Sequence, residues 1–489
     1  MWYGVSSIAA RFLNYLVTPY LTNVLLSEDY GKMSLVYSVL PFLNVLFTYG
    51  LETAYFRFSG REENKRSIYN TTASSIIIST FLLGGTLLLF HKQLASFAGI
   101  GAYPELIKLS IFTIVVDTLC IIPFAKLRND GRPRKYALIK IGGILAYLFF
   151  TFFFLSICYA SAKKDPSSFW AHFVDTSRNP VYYIVLANLI QAGVTLLLLY
   201  KEVLAIRFRI NRRLWGEIIV YSMPMIVTGM GGVINETMDR IMLNWWVPGT
   251  IGFKEQQVAI YSACYKLSIL ITLFVQAFRM GAEPFFFKQA SGENPQRTYA
   301  RVMKFFVIII SIMFLVVTLY LPVWRHFIAR KLWAGLSVVP ILLLANMFLG
   351  IYYNLSIWYK LGKKTSAGAY ITITGALITL VINYFFIPRF GYMACAWATF
   401  CCYGSMMLIS YIWGQKEYRV PYAWKKLLAY MIIALVFFFI HKGIGAFIKK
   451  DMINMAIGTL LLFIYLWFIS LVEKKELVKL PVIGKYFNK

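Results

Sequence analysis

The stretch Gly50-Leu51-Glu52-Thr53-Ala54-Tyr55-Phe56-Arg57 returns, 231 residues later, as Gly281-Ala282-Glu283-Pro284-Phe285-Phe286-Phe287-Lys288. The likeness runs on into the next loop. There Ser59-Gly60 and Arg66-Ser67-Ile68-Tyr69 parallel Ser291-Gly292 and Arg297-Thr298-Tyr299. It also runs backward, where Tyr30 pairs with Tyr261 at the same offset and Arg11 meets Arg240 after a two-residue gap. Two apolar helices share aromatic residues by chance. They do not by chance share a Gly-x-Glu step followed by the same basic loop, so the chain reads as an internal duplication.

The residues around the repeat set the class of protein. Of 489 residues, 59% are hydrophobic and 14% charged, against about 25% charged in a soluble globule. The apolar residues fall in blocks close to the ~20 needed to cross a bilayer. Spans are expected at 3–26, 33–57, 69–90, 105–125, 137–159, 181–200, 217–246, 258–287, 302–323, 335–359, 367–387, 391–413, 427–447 and 452–472. The fold class is therefore an all-α polytopic membrane protein of about 14 transmembrane helices. Six spans separate the two copies, and an even number leaves both running the same way, as a parallel repeat about an axis along the membrane normal. The expected organisation is an N-terminal six-helix lobe (1–205), a second six-helix lobe (206–415), an additional helix pair (416–472) and a basic tail (473–489). Two such bundles face one another across a cleft, and rocking them gives alternating access.

The net charge of +28, from 49 Lys and Arg against 21 Asp and Glu, would point to nucleic acid in a soluble chain. Here it sets orientation, since basic residues resist translocation. Thirty of the 49 gather on one side, among them Arg61, Lys65, Arg128, Arg207, Lys363, Lys479, Lys485 and Lys489. Both termini are thus expected in the cytoplasm, and no nucleic-acid partner is expected. The first block carries Arg11 and Pro19 and has no basic leader, so it reads as a retained helix rather than a cleaved signal. Trp2, Tyr3, Trp215, Trp245 and Trp246 stand at span ends, as interfacial belts require. The six cysteines lie at or inside apolar blocks without metal-ligand spacing, and His91, His172, His326 and His441 fall in separate loops. No metal or cofactor is expected.

An ionisable group inside a span costs about 2.5–3.5 kcal/mol on the insertion scale, so each needs a reason. The cations at such depth are Arg11, Lys140, Arg240, Lys266 and Arg279, and the carboxylates are Glu52, Asp117, Glu236, Asp239 and Glu283. Glu236, Asp239 and Arg240 share one helix face. Either they wall a hydrated chamber for an anion, or Glu236 and Arg240 form a structural pair. Arg11, with Asn14 one turn on, has no carboxylate near it in sequence and reads as a ligand contact. Arg279 and Glu283 have the spacing of a local pair, Glu52 suits loop anchoring as well as function, and Lys140 is close enough to its loop to snorkel. Asp117 is mid-span, a candidate proton or sodium site. Pro19, Pro41, Pro123, Pro224 and Pro340 are expected to interrupt spans.

Tyr221-Ser-Met-Pro224, Asn235-Glu-Thr-Met-Asp239-Arg240 and Ile260-Tyr261-Ser-Ala-Cys-Tyr-Lys266-Leu resemble the seventh and eighth helices of polysaccharide-biosynthesis flippases, members of the multidrug/oligosaccharidyl-lipid/polysaccharide exporter superfamily. Ile387-Pro388-Arg-Phe-Gly391, Glu28-Asp-Tyr30-Gly31 and Leu127-Arg128-Asn-Asp-Gly131-Arg132 fit the same family. The resemblance covers the first twelve spans well and the last pair loosely. It implies a flippase, not an enzyme, moving an oligosaccharide on undecaprenyl pyrophosphate between leaflets of the cell inner membrane. The implied partners are that lipid-linked substrate, membrane lipid, and a polysaccharide polymerase or glycosyltransferase. On this reading Arg11, Asn14, Arg240, Lys266 and Arg279 contact the anion, while Asp117, Glu236, Asp239, Glu52 and Glu283 couple or pair. The rival readings are a cation-coupled multidrug exporter of the same superfamily and, more remotely, a membrane-embedded glycosyltransferase or polysaccharide polymerase.

Overall fold

The computed structural model describes residues 9, 11–59, 65–290, 292–362, 364–448 and 450–478. Trp2, Tyr3, Gly60, Arg61, Ser291, Lys363, Lys479, Lys485 and Lys489, from the belt, the repeat and the basic loops, lie outside them. Among the described residues the regular structure is helical. Thirteen helices are long and apolar enough to cross a membrane. They match the second to fourteenth expected spans in order. The first expected span begins outside the described residues and within them breaks at Val17, beyond which Pro19 opens α1 (Thr18–Val24). The chain continues through α2 (Ser27–Thr48), α3 (Leu51–Ser59), α4 (Lys65–Leu89), α5 (Pro104–Asn129), α6 (Pro133–Phe152), α7 (Val181–Leu198), α8 (Arg212–Trp246) and α9 (Ile251–Gln289). Then follow α10 (Pro295–Leu319), α11 (Val339–Leu355), α12 (Thr365–Phe390), α13 (Tyr392–Glu417), α14 (Trp424–Phe447) and α15 (Asp451–Val472).

The prolines divide by position. Pro19 and Pro340 sit in the first turn of α1 and α11, where a missing N–H leaves no bond unmade. Pro41, Pro123 and Pro224 lie inside α2, α5 and α8, which run on through them. Interruption at those three was the wrong expectation, since a packed membrane helix tolerates the lost bond. The break in the second span comes instead at Tyr49 (φ 34°) and Gly50 (φ 74°), between α2 and α3.

The described chain packs as two compact units, Met1–Ala263 with Ala369–Cys402, and Cys264–Gly368 with Tyr403–Lys489. Each contains one copy of the repeated motif, and its side chains are arranged alike. In the first unit the edge of one ring meets the face of another at Tyr55 and Tyr69, centroids 6.3 Å apart. In the second, the counterparts Phe286 and Tyr299 do the same at 5.1 Å. Glu52 pairs with Arg128 at 2.8 Å, and its counterpart Glu283 pairs with Lys360 at 2.6 Å. Arg128 and Lys360 stand within one position of the 231 offset. The two stretches are thus alike in these contacts as well as in letters.

The helix pair α14 and α15 belongs to the second unit and is fastened to α10 chiefly through one buried carboxylate, with an outer pair of Arg301 and Glu476 at 2.8 Å beside it. Glu473, just past α15 and 1% exposed, accepts from Lys304 at 2.5 Å, Tyr430 at 2.6 Å and Lys426 at 3.3 Å. Burial alone would raise its pKa. The hydrogen bonds from Lys304 and Tyr430 and the charges of Lys304 and Lys426 outweigh that, so the carboxyl lies below the ordinary Glu value.

Candidate functional site

Inside the first unit, five elements leave a cavity of about 470 Å³. Arg11 and Asn14 enter it from the helical turns before α1, Asn44 from α2, Asp117 from α5, Lys140 from α6 and Gln191 from α7. The apolar periodicity of these helices buries their other faces, so the polar side chains have one common space to occupy. Two cations, one carboxylate and three amides make a chamber that offers mostly hydrogen-bond donors, the lining an anionic, polyhydroxylated ligand requires. Lys140 lies over the Phe124 ring at 4.5 Å. It is part of the chamber wall, although its closeness to a loop suggested snorkelling. Arg11, Asn14 and Asp117, separated by about a hundred residues of sequence, come together here.

Asp239 and Arg240 form a different kind of site. Arg240 donates to Asp239 Oδ1 at 3.0 Å and to the main-chain oxygen of Glu236 at 2.8 Å, and its guanidinium lies 5.6 Å from the Tyr261 ring centre. Tyr261 Oη donates to the other oxygen of Asp239, and Cys395 Sγ donates to the Asp239 carbonyl at 3.6 Å. Asp239 is buried, and its charge is matched within this knot. The alternative pairing of the Glu236 and Arg240 side chains does not form. The carboxylate of Glu236 is exposed and makes no ion pair among the described residues, because Asp239 takes the guanidinium from the adjacent position.

In the second unit Arg279 packs on the Tyr353 ring at 4.8 Å and lies 3.9 Å from Glu283. The local pair is therefore the weaker one, with Lys360 as the main partner of Glu283. Arg279, Glu283, Val275, Phe278 and Asn354 bound a cleft of only about 10 Å³. Lys266 is half-buried on α9 and lines neither space. Apart from Lys266, the site residues expected from sequence thus fall in three places: the chamber (Arg11, Asn14, Asp117), the knot (Glu236, Asp239, Arg240), and the paired helix ends (Glu52, Arg279, Glu283).

One cluster escaped the sequence reading. Lys32, at the start of α2, reaches Asp29 at 3.1 Å and Glu255 on α9 at 3.6 Å, with the Tyr103 ring 4.7 Å below it. Asn179 Nδ2 donates to Asp29 at 2.6 Å. All three charged groups are buried. Gly31 makes the approach feasible, since a Cβ there would stand 2.0 Å from the Glu255 carbonyl oxygen. A search confined to span interiors passes over charges at helix starts. Asn44 and Gln191 were missed similarly, because neither has a charged neighbour in sequence of the kind that marked Asn14.

The family model for polysaccharide biosynthesis proteins matches residues 1–290, more than half of the chain. The chain belongs to this family. No curated protein sequence matches it. Among solved structures it is similar to the lipid II flippase MurJ in an inward closed conformation, with a TM-score of 0.73 over 97% of this chain and 99% of that one at 13% identity. An inward-facing MATE-family multidrug resistance transporter of the MOP superfamily gives 0.62 over 84% and 93% at 14% identity. The Vibrio cholerae MATE transporter VcmN in the bent form gives 0.52 over 85% and 95% at 12%. At such identities the likeness is one of fold. The family member described here is a multi-pass membrane protein with the fold of MOP-superfamily flippases and exporters.

Proposed function

We propose that this protein translocates an oligosaccharide carried on undecaprenyl pyrophosphate from the inner to the outer leaflet of the cell inner membrane. It does so by alternating access between lobes 1–205 and 206–415, with both termini in the cytoplasm. The reading is carried by the donor-rich chamber in the first unit. Its volume lies in the ~300–1,000 Å³ range of ligand cavities, enough for a charged headgroup with sugar attached but not for a polyprenyl tail. The tail stays in lipid. A dianionic diphosphate is shielded by Arg11 and Lys140, hydroxyls are met by Asn14, Asn44 and Gln191, and Asp117 couples or balances charge. On this reading sugar polymerisation belongs to a separate polymerase or glycosyltransferase partner. A drug exporter of the same superfamily would need a cavity dominated by carboxylates, and this one has two cations to a single carboxylate.

Proteoliposomes loaded with a fluorescent undecaprenyl-diphosphate oligosaccharide test this. Losing one charge-assisted contact is worth about 1.5–3 kcal/mol, so Arg11→Ala is expected to slow flipping roughly 10- to 150-fold with an unchanged melting midpoint. Unaltered flipping by an Arg11→Ala/Lys140→Ala double variant overturns the assignment. Efflux of an amphipathic cation by the wild type, without flipping of the lipid, replaces it with the exporter reading.

A further inference from the structure

A second cavity in the first unit, about 450 Å³ in volume, stands apart from the chamber and is lined by Arg66, Ser67, Asn70, Arg207, Arg209 and Asn211 among others. Its wall is built rather than incidental. The segment before α8 is pinned to the first turns of α4 at two points. Arg207 N–H donates to Asn70 Oδ1 at 3.0 Å, and Asn211 N–H donates to Thr71 Oγ1 at 3.2 Å. Asn70 and Thr71 are buried, so the segment has a fixed register. The Arg209 N–H donates to the Arg207 carbonyl at 2.7 Å, so the chain turns tightly at the exposed Phe208, and Arg207 and Arg209 both line the cavity. No carboxylate lines the cavity, and none of the three arginines has an ion pair among the described residues. Of the acids that flank the segment before α8, Glu202 is engaged with Lys135 at 2.6 Å and Glu217 with Arg213 at 3.7 Å. Three cations held around one space repel one another, and an anion between them removes that cost.

The surroundings say what kind of anion. Membrane-spanning α4 and α8 both begin here, so the cavity sits at a bilayer edge. Leu204, Phe208 and Trp215 are exposed beside it, at 79%, 65% and 41%. Large apolar side chains flanking a basic hollow suit a molecule with acyl chains on one side and a phosphate on the other. We propose that this cavity is a binding site for the phosphodiester headgroup of an anionic phospholipid, which holds the segment 205–211 against the membrane. The site is separate from the transport chamber and does not depend on the proposed cargo.

The test uses the full chain in nanodiscs containing phosphatidylglycerol and phosphatidylcholine, with the retained lipid measured after delipidating washes. One interfacial Lys or Arg contributes about fivefold in binding. Arg66→Gln, Arg207→Gln and Arg209→Gln are therefore each expected to lower phosphatidylglycerol retention about fivefold, and the triple variant roughly 100-fold. Arg212→Gln/Arg213→Gln, next to the cavity but not lining it, is expected to leave retention unchanged. If that control loses as much as the lining variants, the effect is a general basic surface and the site is overturned. A separate arm adds inorganic phosphate to protein in neutral detergent. Stabilisation by phosphate alone, equal to that by phosphatidylglycerol and lost in the Arg209→Gln variant, overturns the lipid in favour of a free-phosphate site. Should the triple variant fail to fold, the single variants decide the matter.

Discussion

Gly50 and Gly281 stand at the same place in the two copies of the repeat, and the chain treats them differently. Gly50, at φ 74°, ends a helix against Met225, whose sulfur would lie 2.8 Å from a Cβ at this position. Gly281 lies within α9, which continues to Gln289. The interiors diverge in the same way. At the 231 offset, Asn44, Asp117 and Lys140 of the first copy become Val275, Phe348 and Ile371 in the second. One copy has a polar chamber of about 470 Å³. In the second copy Val275 lines a cleft of only about 10 Å³, and Val275 and Phe306 lie so near Gly350 that a Cβ there would meet them at 2.8 and 2.7 Å. What both keep is the frame, the Glu–cation pair and the edge-to-face rings. The two copies thus share contacts at their helix ends and differ in the polarity of the residues at these interior positions.

The strongest way to break this comparison is to give the first copy the second's residue. Asp117→Phe fills the chamber and removes its only carboxylate. Flipping in proteoliposomes is expected to fall about 100-fold, or about 2.7 kcal/mol. The melting midpoint in detergent should stay close to that of the wild type, because the cavity accepts the ring. Full transport by this variant would mean that the polarity difference between the copies has no bearing on transport.

The next effect concerns the buried carboxylate that fastens α14 and α15 to α10. Removing one partner from a buried charge cluster leaves the others uncompensated, so Glu473→Gln is expected to cost about 3 kcal/mol, read as a lowered midpoint of thermal unfolding. The sign of its pH dependence follows from the depressed pKa. A carboxyl lower in the folded than in the unfolded state stabilises fully above the unfolded value, ~4.3, and the contribution is lost as pH falls through the folded value. The wild-type midpoint should therefore drop below about pH 4.3 more steeply than that of the variant. Parallel pH profiles would detach α14 and α15 from any role in bracing the second copy.

Much of the frame was legible before any coordinates, because hydrophobic blocks near bilayer length and a duplicated Gly-x-Glu motif are local patterns. Span order and class follow from them. The pairings did not follow. Arg11 and Asp117 meet through the packing of α5 beside the start of the chain, and no spacing rule connects them. Arg240 offered two acids at usable spacing, and the side chain chose Asp239 because Tyr261 and Cys395, brought from other helices, hold that residue in place. The Lys32 cluster depends on the absence of a Cβ at Gly31, a fact about α9 as much as about α2.

That glycine gives the third contrast. Its counterpart in the second copy is Ser262. Gly31→Ser drives a side chain into the Glu255 carbonyl and forces α2 and α9 apart, an overpacking worth about 1–3 kcal/mol. Thermal unfolding measures it, and the reverse exchange Ser262→Gly should cost no more than the ~1 kcal/mol of a helix glycine. Equal losses would show that the close approach belongs to both copies.

The finest distinction lies in the conserved frame itself. Glu52–Arg128 and Glu283–Lys360 have similar lengths, and all four side chains are 27–44% exposed. Solvent screening holds such pairs to about 0.2–1 kcal/mol each. Double-mutant cycles on thermal stability should therefore give small coupling energies in both copies. They should not be identical. Glu283 also faces Arg279 at 3.9 Å, so Glu283→Ala leaves two cations without their shared carboxylate and should destabilise more than Glu52→Ala. The Glu283–Lys360 coupling should shrink when Arg279 is already replaced by Gln, because two neighbouring cations compete for one anion. An unchanged coupling in the Arg279→Gln background would mean that the second copy's added cation is a packing group on Tyr353 and no part of the electrostatic frame.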